Sequence, residues 1–144
     1  KTGYATDGSR LVCGVVAVSK DKRKILVVES TQRKNHWVLP KGGFETDEAT
    51  PEDAALREAW EEAGITGRIT RALGEIPDPR INASISNNSL FMFFEVDVER
   101  EEARWPEMQK RMRRWLTFDE ATKCFQQMGR PELLEAVKRS SVLR

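Results

Sequence analysis

The chain has 144 residues, 39% of them hydrophobic, which is enough for one domain with a real core and too few for two. Its 24 Lys plus Arg nearly cancel 23 Asp plus Glu, and a net charge of +1 gives no general attraction to nucleic acid. No apolar run approaches a membrane span and no secretory pattern is read, while Cys13 and Cys124 lie in apolar surroundings and read as buried free thiols of a reducing compartment.

In chain order, Leu11 to Ser19 and Ile25 to Ser30 are β-rich runs joined by the charged turn Lys20-Asp21-Lys22-Arg23-Lys24, a hairpin pattern. Trp37 to Pro40 reads as a short strand feeding a turn at Gly42-Gly43, where backbone without side chains can approach a ligand closely. A helix follows. Thr50 suits its N-cap, Pro51 its first position, Asp53 the acid of a capping box, and Gly64 a left-handed stop. Thr66 to Ile76 and Leu90 to Glu99 read as strands joined by a polar loop, and Leu90-Phe91-Met92-Phe93-Phe94 suits a strand covered on both faces. Trp115 to Phe118 is a last short strand, and Asp119 to Met128 and Pro131 to Arg139 are helical by periodicity. The sum is a single domain over residues 1–144, a mixed sheet with helices on both faces.

The helix after Thr50 carries the chemistry. At about 100° per residue, Glu58, Glu61 and Glu62 fall near 0°, 300° and 40°, crowding three carboxylates onto one stripe. Leu56, Ala59, Trp60 and Ala63 occupy the other arc, so the apolar side is expected to be buried and the acidic stripe to face outward or into a cleft. Like charges this close repel, and a hard divalent cation, Mg²⁺ first, would relieve them with carboxylate oxygens, water and substrate phosphates completing its shell. A solvated acidic face would carry the same three residues.

Gly42, Glu48, Arg57, Glu58, Glu61, Glu62 and Gly64 together resemble the Nudix box, G-x5-E-x7-R-E-U-x-E-E-x-G-U, in which U is apolar. Eight residues, not seven, separate Glu48 from Arg57, an insertion around Ala49-Thr50-Pro51 that lengthens a loop and leaves the role of Glu48 open. The resemblance implies a Nudix-type α/β/α sandwich and hydrolysis at a phosphate, with Mg²⁺ or Mn²⁺ held by Glu58, Glu62 and the carbonyl of Lys41. Arg57 stands four residues before Glu61 and can orient it by a helical ion pair. Glu61 is the first choice for the base that activates water and Glu62 the second.

Outside the box, Gln109-Lys110-Arg111-Met112-Arg113-Arg114 packs four cations beside an expected strand, and Arg10, Arg33, Lys34, Lys41, Arg80 and Arg130 lie at element ends or in loops. Converging on a metal, such cations would read a densely phosphorylated ligand. Arg10-Leu11-Val12-Cys13, Ser30-Thr31-Gln32, Trp37 to Gly43, the basic run and Arg130-Pro131 resemble the diphosphoinositol polyphosphate phosphohydrolases, in a fungal or plant-like branch. That resemblance implies removal of the β-phosphate of diphosphoinositol polyphosphates and cleavage of diadenosine polyphosphates and inorganic polyphosphate. It assigns substrate contacts to Arg10, Ser30, Thr31, Gln32, Arg80, Arg111 and Arg130, to which Arg33, Lys41, Gly42, Gly43 and Arg113 are added as neighbours. The expected partner is a highly phosphorylated small molecule, with no membrane and no specific nucleic acid, bound by a monomer in the cytoplasm or nucleus. Two alternatives stand beside this reading: a hydrolase of ADP-ribose, a dinucleotide or a capped RNA, using aromatic residues such as Tyr4 or Trp37 to hold a base, or a non-catalytic phosphate-binding module. His36, the one histidine, reads as a loop residue.

Overall fold

The computed structural model describes residues 3–4, 8–79 and 89–144. Strands β1 (Arg10–Val18) and β2 (Lys24–Glu29) form the expected hairpin, pairing at Val18 and Ile25 beside the charged turn. They then diverge, because a second segment enters between them. Its first part, β3 (Trp37–Val38), pairs with β2, and its second, β4 (Lys41–Gly43), pairs with β1. Gly42 and Gly43, expected in a turn, thus sit in a strand opposite Cys13 and Val12.

The far edge of β1 runs parallel to β6 (Ser89–Glu101) along its full length, and β6 pairs antiparallel with β5 (Ile65–Pro77). On the other side, β7 (Arg113–Thr117) closes the second edge of β2. The sheet is therefore mixed, with the β3–β4 segment wedged into a fork at its centre. Leu11 to Val18 are all buried, with no alternation, so the sheet is covered on both faces. Helix α1 (Pro51–Ala63) packs on β1, β4 and β5, while α2 (Phe118–Gln127) and α3 (Pro131–Arg139) pack on each other and reach β7 and β5. The architecture is an α/β/α sandwich. Its buried apolar side chains form one cluster, in which Phe91, Phe93 and Phe94 each contribute about 1.5–3 kcal/mol of transfer free energy. Leu90 and Met92, in the same run, are only partly buried. Cys13 is buried and its thiol is pushed up to about 12 by desolvation, whereas Cys124 is only partly covered.

Both ends of α1 follow the sequence. The Thr50 hydroxyl accepts the Asp53 N–H at 3.1 Å, and Gly64 closes the helix at φ 67°, its N–H donated to the Trp60 carbonyl at 3.0 Å. The buried face does not. It runs through Ala54, Ala55, Glu58, Ala59, Glu62 and Ala63, whereas Trp60 is 36% exposed and Leu56 only half-buried. Four alanines let the helix backbone approach the sheet more closely than Trp60 would allow, and that rotation carries Glu58 and Glu62 inward.

Candidate active site

Arg57 is the node of the site. Its guanidinium donates twice to Glu48, each at 2.9 Å, once to Glu58 at 3.0 Å, once to Glu61 at 3.1 Å, and once to the Gly43 carbonyl at 3.2 Å. The extra residue between Glu48 and Arg57 is absorbed before the helix, and Glu48 still makes the two-pronged pair whose geometry suits a guanidinium. That pairing holds the Glu48 carboxyl below its usual range.

Glu58 and Glu62 lie deeper, at 8% and 5% exposure. Burial pushes both carboxyls up, Glu62 to about 8, and the neighbouring Glu58 charge pushes Glu62 the same way. Arg57 opposes the rise at Glu58, and Arg111, 3.8 Å from Glu62, opposes it there. The backbone N–H of Lys41 donates to Glu62 at 3.3 Å. Gly42 makes this approach possible: a Cβ on it would stand 2.1 Å from Glu58 Oε2. The carboxylate occupies the space that a side chain would fill.

Beside this pair, the fork between β1 and β2 opens into a cleft of about 260 Å³. Arg10, Ser30, Thr31, Gln32, Lys41, Gly42, Gly43, Arg111 and Arg130 all line it, so nine of the sequence candidates share one wall system. They arrive from several separate segments: Arg10 from the start of β1, Ser30 to Gln32 from just after β2, Lys41 to Gly43 from β4, Arg111 from just before β7, and Arg130 from the turn before α3. Phe91 is the one aromatic residue of the wall among the described residues. Arg33 lies instead on an adjoining pocket, and Arg80 falls outside the described residues.

Two cations behave differently from the sequence expectation. Arg113 faces away from the cleft: it donates to the carbonyls of Ala63 at 2.8 Å and Glu102 at 2.6 Å, pairs with Glu101 at 3.0 Å, and stacks 4.0 Å over the Trp105 ring. Its guanidinium satisfies the C-terminal end of α1, the task the helix dipole favours for a cation there. Arg113→Ala should therefore lower stability by about 2–3 kcal/mol in urea denaturation while leaving KM unchanged. Arg111 does reach the cleft but is held inside, donating to Glu107 at 2.8 Å and to the Glu29 carbonyl at 2.8 Å.

Glu107 carried no expectation from the sequence, and Trp105 was expected only among aromatic residues available to hold a base. The Glu107 N–H donates to the Glu61 carbonyl at 3.0 Å and Trp105 Nε1 to the Glu62 carbonyl at 3.0 Å, so the loop before β7 is fastened along the end of α1. The four-residue spacing of Glu107 and Arg111 was a visible signal; nothing local marked Trp105.

Residues 8–139 match the NUDIX domain family. The chain belongs to the Nudix family. It is 38% identical over 142 residues to Nudix hydrolase 4 of Arabidopsis thaliana, covering 92% of this chain and 67% of that protein. It is also 41% identical over 56 residues to the diphosphoinositol polyphosphate phosphohydrolase 3-alpha of Mus musculus, covering 39% of this chain and 34% of that one. A NUDIX hydrolase from Nitrosomonas europaea has the same fold, with a TM-score of 0.72, 22% identity, and 91% and 87% of the two chains covered. Nudix hydrolases generally use divalent metals such as Mg²⁺ or Mn²⁺ and act on small phosphorylated substrates. No helix among the described residues is long and apolar enough to cross a membrane. Other Arabidopsis relatives are named as chloroplastic and mitochondrial, which lends no support to the cytoplasmic location expected from the sequence.

Proposed function

We propose that this Nudix hydrolase acts on densely phosphorylated small molecules, removing the β-phosphate of diphosphoinositol polyphosphates and cleaving diadenosine polyphosphates and inorganic polyphosphate. One observation carries the reading: Arg10, Lys41, Arg111 and Arg130 converge on a single cleft abutting the Glu58–Glu62 pair. Four cations in so small a volume suit many anionic oxygens. A low-charge nucleotide would need an aromatic base pocket, and Phe91 alone offers no sandwich.

The residues present fit a divalent metal. Glu58 and Glu62 are buried acids without full counter-charge, and among the described residues no third His, Cys, Asp or Glu completes a shell. Mg²⁺ and Mn²⁺ suit such a pair because they keep open positions for water and phosphate. Glu58, Glu62 and the Lys41 carbonyl would hold the ion, which when bound polarises a phosphoryl oxygen and offsets developing charge. Glu61, more exposed and oriented by Arg57, takes the proton of the attacking water. Arg10 and Arg130 bind and orient the non-reacting phosphates.

The test is hydrolysis of a diphosphoinositol substrate, a diadenosine polyphosphate, inorganic polyphosphate and ADP-ribose, followed as orthophosphate from the first and by chromatography of the phosphorylated products from the other three. Arg10→Ala and Arg130→Ala should each raise KM for the highly charged substrates about ten-fold, the loss of one charged hydrogen bond, and affect ADP-ribose little. Arg111→Ala should lower kcat as well, because it removes one of the two cations, with Lys41, that act on Glu62. Faster turnover of ADP-ribose by the wild type, or unchanged KM in both variants, would give the nucleotide reading its place.

A further inference from the structure

The loop from Ser30 to His36 is closed on itself. The Ser30 hydroxyl accepts the N–H groups of Gln32 and Arg33 at 3.2 and 3.3 Å, the Ser30 N–H is donated to the His36 carbonyl at 2.8 Å, and Asn35 adopts φ 64°. This turn faces the junction of α2 and α3, and between them lies a second pocket of about 220 Å³. Arg33 and His36 stand on one rim, Gly129 and Arg130 on the other, and no carboxylate is in its wall. Ser30, Gln32 and Arg130 line both this pocket and the cleft, so the two cavities share a wall.

Arg130 is the fixed part of that wall. Its Nε donates to Glu132 at 2.7 Å, and Glu132 is 1% exposed. The other oxygen of Glu132 has no partner among the described residues. A buried carboxylate satisfied on one side only is costly, and its one partner here is the arginine that both cavities share. With Nε committed, the terminal nitrogens of Arg130 make no bond to another described side chain and remain as donors toward the cavities.

We propose that the Arg33–His36 pocket is a second anion subsite, which takes a phosphate remote from the reacting one when an extended polyphosphate chain runs out of the cleft over Arg130. It deepens the function proposed above and rests on that reading. A chain too short to pass Arg130 gains nothing from the outer pocket, whereas a longer one gains the Arg33 contact.

The experiment measures binding of inorganic triphosphate and of long-chain polyphosphate by calorimetry in excess chelator, so that no turnover intervenes. In Arg33→Ala the ratio of long-chain to triphosphate affinity should fall about ten-fold, and further in Arg33→Ala/His36→Ala. Glu132→Gln should weaken both ligands, since Arg130 serves both cavities; if that variant fails to fold, the Arg33 ratio carries the test alone. Arg104→Ala, an exposed cation outside both pockets, controls for diffuse attraction. An unchanged ratio in Arg33→Ala, or an equal fall in Arg104→Ala, overturns the subsite. Chain-length-dependent binding that needs Arg33, in a protein that hydrolyses none of the highly charged substrates, would keep the subsite and remove the proposed activity.

Discussion

Glu61→Gln should lower kcat by on the order of 10²- to 10⁴-fold, the scale of a positioned general base, with the fold and much of the substrate affinity retained. Glu61 is held by Arg57 at 3.1 Å and its side chain is 36% exposed, so water can reach it. Glu58 and Glu62 are the opposite case, both buried, with their carboxyls raised by that burial. Their Gln variants should weaken metal affinity first, and raised metal should restore part of the rate. Rescue of Glu61→Gln by high metal, with none for Glu62→Gln, would exchange the two roles.

Gly42→Ala should cost nearly as much activity, with only a modest loss of stability. The new methyl would stand 2.1 Å from Glu58 Oε2 and 2.2 Å from its Cδ, so the carboxylate must leave its place. Overpacking of this kind costs about 1–3 kcal/mol where the neighbour cannot move, and less where a side chain can swing aside. Glu58 can swing, but only by losing its bond to Arg57 and its contact with Glu62. Activity measured across a metal titration should fall by at least about a hundred-fold, the scale of losing a positioned catalytic group, while thermal denaturation shifts by a few degrees. A variant with wild-type activity would mean that the position of Glu58 in this structure is not the one the reaction uses.

The sequence carried most of the fold because its local signals agree with one another. Thr50, Pro51 and Gly64 bound α1 correctly, and the strand runs and terminal helices lie within a few residues of their expected places. What failed was long-range. A helical wheel ranks Trp60 above Ala54 and Ala55 as a core residue, yet closeness to the sheet selects the small side chains and buries two glutamates with them. Gly42-Gly43 has turn composition, but β1 needed a partner where β2 leaves it. Arg113 and Arg111 are two residues apart in a basic run, where strand alternation would put both on one face, but Arg111 lies before β7 begins, and one reaches the end of α1 and the other the cleft. Glu132 had no local mark at all, because its partner Arg130 acquires meaning only from the cavities it divides.

The most direct test of the central claim, a metal site made by Glu58 and Glu62 at the head of a cationic cleft, is a calorimetric Mn²⁺ titration of the chelator-treated protein at about pH 6 and about pH 8. Burial raises both carboxyls, Glu62 to about 8, so below that pH an entering cation must displace the Glu62 proton and competes poorly in acid. Saturable binding should tighten from the lower to the higher pH, release protons at the lower one, and weaken strongly in Glu58→Gln and Glu62→Gln. Binding that is independent of pH and survives both substitutions would contradict the account.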